Sequence, residues 1–201
     1  MKNHQITQSP NRPIRRSRSG FTLIEAALTM VIVGVGILAM VSAQQAYHQK
    51  NDWAQRTGTA QMLANEIREL TLSLPHHDPI SGSATLGPES NESSAAGPQT
   101  DVANYDDLDD FAGTVTGAGY GSGVTFNPPI NGLRLAVDGL DQWSQSVTVE
   151  NVFPDNLAAG GSDVQPLGST NMMRVTVDVL YQQSASDPIE TITSMTWVVA
   201  R

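Results

Sequence analysis

Cysteine is absent from the 201 residues. That excludes a disulfide, a thiolate nucleophile and a cysteine-ligated metal, and with them a lipoprotein anchor, which needs a cysteine. Aromatic residues make up only 5%, so a soluble core must be lean. Lysine and arginine are also scarce, 11 against 20 Asp and Glu. Lys2, Arg12, Arg15, Arg16 and Arg18 all fall in residues 1–20, which hold no acid. The remainder carries six basic against 20 acidic residues, a net of −14. Such a body excludes nucleic acid as a direct partner, because a phosphate binder needs clustered Lys and Arg. Proline is missing between Pro13 and Pro75, a gap that permits one long helix.

What fills that gap begins with an apolar run. Phe21 to Val41 are twenty-one residues whose only charge is Glu25. At about 1.5 Å per residue they span roughly 30 Å, the thickness of a bilayer core. Beyond them Trp53, Ala60, Leu63, Ile67, Leu70 and Leu74 recur at steps of seven, three, four, three and four, one face of an amphipathic helix. The spacing predicts a single helix from Phe21 to Leu74, ended by Pro75. The layout is a basic leader at 1–20, a transmembrane helix at 21–41, its amphipathic continuation at 42–74, and a β-rich globular domain at 75–201. A basic tip ahead of an apolar run stays cytoplasmic by the positive-inside tendency, which places the acidic body on the exported side.

Residues 75–101, rich in Ser, Gly, Pro, Asn and Glu, predict a loop with room for mobility. Strand signals follow. "GLRLAVDGL" alternates Leu133, Leu135 and Val137; "SVTVENV" alternates Val147 and Val149. "MMRVTVDVLY" sets Met173, Val175, Val177 and Val179 on one face, and "IETITSMTWVVA" sets Ile189, Met195, Trp197 and Val199 on one face. The last two are joined by a hairpin-like connection. Such alternation predicts an antiparallel sheet with one buried face, and the apolar face from Trp53 to Leu74 is its natural cover. The fold class is α+β: a long N-terminal helix, transmembrane in its first half, packed on a C-terminal antiparallel β-sheet.

Glu25 is the residue that needs a reason. An acid at mid-bilayer costs at least about 2.5 kcal/mol, and export does not require one. An ordinary signal peptide or signal anchor on an exported acidic binding domain is the alternative reading, and "VSA", Val41 to Ala43, would suit its cleavage. The apolar run is longer than the about 7–15 residues of a signal-peptide core.

"GFTLIEAALTMVIVGVGILAMV", after a basic leader, resembles the N-terminal segment of type IV prepilins and type II secretion pseudopilins. The resemblance implies that a prepilin peptidase cuts between Gly20 and Phe21 and that Phe21 is then N-methylated. It implies a structural role with no enzymatic activity, as a minor pilin or pseudopilin of a type IV pilus-like or type II secretion pseudopilus filament. The partners it implies are the prepilin peptidase, sister subunits, the inner-membrane assembly platform and the membrane itself. The chain would first be a single-pass inner-membrane protein with a cytoplasmic N-terminus, then part of a periplasmic or cell-surface filament. Cleavage leaves an amine on Phe21. In a staggered bundle Glu25 of one subunit can meet the Phe21 amine of its neighbour, two charges that are costly alone and tolerable paired. Glu25 then selects register and partner. The globular pattern, "NYDDLDDF" then Pro128-Pro129, "SVTVENV" and "MRVTVDV", resembles pilin-like proteins of planctomycete-type bacteria. The C-terminal cysteine pair of many major pilins is missing, as is the proline that often kinks their helix; Gly34 and Gly36 could supply that flexibility.

Elsewhere, Asp106, Asp107, Asp109 and Asp110 form an acidic knot beside Asn104. Calcium suits several carboxylates on a flexible loop, with carbonyls from Gly113, Gly117 and Gly119. The spacing is not that of an EF-hand, which wants glycine where Phe111 stands, and a solvated acidic loop is the other reading. "HHD" at His76 to Asp78 makes a poor metal site, since adjacent histidines point apart. Gly117 to Gly123 lack the lysine of a phosphate loop. No other cofactor and no catalytic constellation is expected.

Overall fold

The computed structural model describes residues 20–155 and 164–200; of the expected leader, residues 1–19 lie outside them. Apolar periodicity without proline gives one helix, α1 (Leu23–Leu72), two residues shorter at each end than expected. By contacts the chain divides into Met1–Lys50 and Asn51–Arg201.

In the first unit the helix buries nothing. Leu23, Ile24, Met30, Ile32, Ile37 and Leu38 are all exposed, and the segment is long and apolar enough to cross a membrane by length and composition.

The second unit is built on the helix stripe that was expected. Ala60, Leu63, Ala64, Ile67 and Leu70 are buried and belong to the one hydrophobic core. Trp53 does not join them; it is 67% exposed, seven residues ahead of the first buried stripe position. The facing sheet is antiparallel throughout: β1 (Val124–Phe126), β2 (Trp143–Val152), β3 (Val164–Gln165), β4 (Met172–Tyr181) and β5 (Glu190–Ala200). Its order is β1-β2-β4-β5, with β3 also pairing β2. Alternation decides which face is covered. Val147 stands opposite Val177 and Val177 opposite Met195, Val149 opposite Val175 and Val175 opposite Trp197, all on the core face. Thr176 and Thr196 meet at 3.1 Å on the other, and Arg174 donates to Glu150 at 2.6 Å. Gln145, fully buried, joins sheet to helix: its Nε2 donates to the Leu63 carbonyl at 2.8 Å, and its Oε1 accepts from Ile130 N–H at 2.8 Å.

Two strand expectations need correction. Residues 132–140 do not form a strand. Asn131 Oδ1 accepts from the N–H groups of Leu133 and Leu135, an Asx-type turn that competes with a ladder, and Leu133 and Leu135 end up exposed. In β5 the pairing slips between Val179 and Leu180, which stand opposite Thr193 and Thr191. This bulge reverses the alternation, so Ile192 packs on the core while Ile189 is exposed.

The loop expected at 75–101 is held by side chains. Asp78 Oδ1 accepts from Ile80 and Ser81 N–H, Ser94 N–H donates to Asp101 at 2.8 Å, and Asn104 Nδ2 donates to the Asn91 carbonyl at 3.1 Å. It contains a one-turn helix, α2 (Pro98–Asp101), and is followed by a 3₁₀ turn, Asp109–Ala112. The glycines beyond it let backbones touch. Gly113 sits at φ 67°, and a Cβ there would lie 2.3 Å from the Gly123 carbonyl oxygen.

Candidate functional site

Gly20, Phe21 and Thr22 precede the first helical residue. A Cβ on Gly20 would meet nothing within 4 Å among the described residues. Phe21 is 75% exposed.

Thr22 begins the helix. Its carbonyl accepts from Glu25 and Ala26 N–H, both at 3.1 Å, and its Oγ1 accepts from Glu25 N–H at 3.4 Å. Thr22 and Glu25 thus stand at the two positions of a capping box, threonine at the N-cap and glutamate three residues on. The first turn is also where the helix dipole favours a negative charge. Thr22 went unnoticed in the sequence, although the T-x-x-E spacing was there to signal it. These hydrogen bonds use the Glu25 backbone and not its carboxylate: among the described residues no cation pairs with Glu25, and the side chain is exposed.

The acidic knot is a different environment, and the solvated-loop expectation fails there. Asp106 is exposed, but Asp107, Asp109 and Asp110 are buried. Glu92 is buried with them and Glu89 half-buried. Asp110 Oδ2 accepts from the N–H groups of Asp106 (2.9 Å) and Asp107 (3.2 Å), and Asp107 Oδ1 accepts from Asp110 N–H at 3.1 Å. Glu92 Oε2 accepts from Glu89 N–H at 3.0 Å, and Glu89 Oε1 from Ser81 Oγ at 3.1 Å. Asp109 Oδ2 lies 2.8 Å from His77 Nδ1, so His77 of "HHD" meets a carboxylate of the knot. Burial, and then neighbouring carboxylates, push Asp107 up to about 9 and Glu89 up to about 7. Burial also raises Asp110 to about 7, with the Asp107 charge adding to it, and Asp109 to about 7. Sequence reasoning missed Glu89 and Glu92, because 13 residues lie between Glu92 and Asp106 along the chain.

Residues 15–41 match the family described as the prokaryotic N-terminal methylation motif. The N-terminal segment is of the prepilin type. The match supports the pilin and pseudopilin family for this chain, a family of structural subunits rather than enzymes. Gly20, Phe21, Thr22 and Glu25 all lie inside the matched span. That span ends ahead of the globular unit, so the likeness to planctomycete-type pilins rests on the globular sequence alone. No curated protein and no solved structure matches the chain. The matched segment runs into a helix that is long and apolar enough, by length and composition, to cross a membrane.

Proposed function

We propose that the chain is a minor pilin or pseudopilin, a structural subunit of a type IV pilus-like or type II secretion pseudopilus filament. It is inserted with its N-terminus in the cytoplasm and its acidic domain exported. Prepilin peptidase cuts after Gly20, Phe21 is N-methylated, and Glu25 of one subunit pairs with the Phe21 amine of a sister subunit. The assembly platform of the inner membrane then draws the subunit into the filament.

The observation that carries this reading is the prepilin-type match on the first half of a helix, where the apolar side chains are exposed all round. An apolar surface of that extent needs lipid or other helices to cover it. Two further points support it. Gly20 and Phe21 stand just outside the helix, whereas Val41 to Ala43 lie within it, and a peptidase acts on extended backbone. Among the described residues nothing crowds Gly20, which suits a small residue that a peptidase must fit beside the scissile bond.

Intact mass of the matured protein tests the reading. Loss of residues 1–20 with gain of one methyl is expected; cleavage after Ala43, or none, would support the signal-peptide alternative instead. Gly20→Asp should leave the leader in place, and its normal maturation would contradict the assignment.

A further inference from the structure

We propose that the turn at Leu133 to Leu135 of one copy of this chain docks on the acidic cavity beside the β4–β5 turn of a second copy, with Arg134 between the carboxylates of Asp187 and Glu190. The proposal rests on the filament reading for its partner and deepens it, by naming a surface that a sister subunit uses.

The turn is built to display what it carries. Leu133 and Leu135 are 78% and 60% exposed. Single exposed leucines are ordinary, but these two stand on a braced scaffold. Asn131 N–H donates to the Leu135 carbonyl at 2.9 Å, and Gly132 N–H to Glu66 Oε2 at 2.6 Å. Ile130, just ahead, is fully buried and held by Gln145. Arg134 sits between the leucines at φ 65°, the one non-glycine with a positive φ among the described residues. Glycine or asparagine would adopt that conformation at lower cost, so an arginine there points to a use for its side chain. Its Nη1 donates to the Ala103 carbonyl at 3.4 Å; the rest of the guanidinium meets no acceptor among the described residues. In a unit short of bases, this is a positive charge in an apolar frame.

The β4–β5 turn carries the opposite arrangement. Asp187, Pro188, Ile189 and Glu190 are consecutive and exposed, two acids around an apolar side chain. Asp187, Pro188 and Glu190 line an open cavity of about 370 Å³ with Arg56, Tyr181 and Gln183. Arg56 lies over the Tyr181 ring, 4.4 Å from its centroid, and no ion pair joins it to either acid. Both carboxylates stay open to a cation from outside. Leucine, arginine and leucine against acid, isoleucine and acid match in charge and in apolar contact, which selects a partner and orients it.

A patch that meets a different patch makes a heterologous contact. Placement on α1 sets its stagger. Glu66, which holds the turn, and Arg56, which lines the cavity, are ten residues apart on the helix, about 15 Å along its axis. Copies with parallel helices are then offset by about that distance at each step, and the series of contacts stays open instead of closing into a ring.

The absence of cysteine makes the contact readable by thiol cross-linking. Cells producing the full chain with both Leu133→Cys and Ile189→Cys are treated with a short bismaleimide before lysis and analysed on denaturing gels. The double variant should give a ladder of dimers, trimers and longer products. Neither single variant should cross-link alone, and the two made in one cell should stop at the dimer. In the double-cysteine background Arg134→Glu should lower the cross-linked product by about fivefold or more, and adding Asp187→Lys with Glu190→Lys should restore it. Arg134→Gly, which suits the positive φ, should weaken the ladder while the protein melts no lower than wild type. No ladder beside normal leader removal and methylation would overturn this contact and leave the filament reading standing. A ladder on chains that keep their leader would support the contact and count against that reading. A single-cysteine variant that cross-links to itself would overturn head-to-tail docking. Capture of a different protein at Leu133→Cys in place of a ladder would overturn the second copy as occupant. Arg134→Gly protein that melts lower yet cross-links as before would make Arg134 a brace of the turn and overturn its role in the contact.

Discussion

The two halves of α1 are one helix read by two different rules. From Leu23 to Val41 apolar residues occupy every side, and none is buried. From Ala60 to Leu70 they occupy one stripe, and that stripe is covered by the sheet. A helix apolar all round is made for lipid or for other helices, and a helix with one apolar stripe is made for its own domain. The difference teaches that the second half stabilises the fold of one molecule, while the first half leaves its apolar side chains uncovered by its own chain. Glu25 and Glu66 repeat the lesson in charge. Glu66 Oε2 accepts from Gly132 N–H at 2.6 Å within the domain, whereas the Glu25 carboxylate has no cation among the described residues.

Paired substitutions break that comparison if it is wrong. Ile67→Ala should cost the globular unit about 2–5 kcal/mol, the range for a buried aliphatic truncated to alanine. Ile37→Ala, at an exposed position, should leave domain melting within about 0.5 kcal/mol of wild type. Denaturant melts of both variants check this, and equal losses would erase the distinction between the halves.

A smaller effect is expected where the domain's backbones touch. Gly113→Ala places a Cβ against the Gly123 carbonyl at a positive φ, and should cost about 1–3 kcal/mol. Gly36→Ala, with nothing within 4 Å, should leave domain melting unchanged. The same denaturant melts decide it.

The mildest test is pH. Asp107, with its value near 9, and Glu89, Asp109 and Asp110, near 7, hold protons in the folded chain below those pH values. The unfolded chain releases those protons near its ordinary values of about 4. Folding therefore takes up protons above about pH 4, and stability falls as pH rises toward the folded values. The protein should melt higher at about pH 5.5 than at about pH 8. A flat or rising profile would show that these acids are not buried as described.

Much of this was legible in the sequence because periodicity reports burial directly. A step of three and four marked Ala60, Leu63, Ile67 and Leu70, and a step of two marked the core faces of β2 and β4. Reading failed where a side chain or a bulge altered the local count. Asn131 turned the Leu133–Val137 alternation into a loop, and the slip opposite Val179 exchanged Ile189 for Ile192. Trp53 continued the stripe in register but preceded its covered part. At the N-terminus the order Gly, Phe, Thr, Leu, Ile, Glu was compact enough to read as one motif. The acidic group was not, because Glu89 and Glu92 reach Asp110 only through the turns at 75–101, which no period announces.

The account's central claim is that Glu25 works between subunits. Docking a Phe21 amine into an apolar bundle without its counter-charge leaves a buried, unpaired cation, at a cost of about 3–5 kcal/mol. Removing the acid also takes a charge out of the apolar run, which eases insertion. The direct measurement is the fraction of Glu25→Ala subunit recovered in sheared filaments, beside its level and leader removal in the membrane fraction. The account predicts normal insertion and leader removal with loss of the subunit from the filament. Wild-type incorporation would contradict it, and would leave Glu25 as no more than the acid of a helix cap.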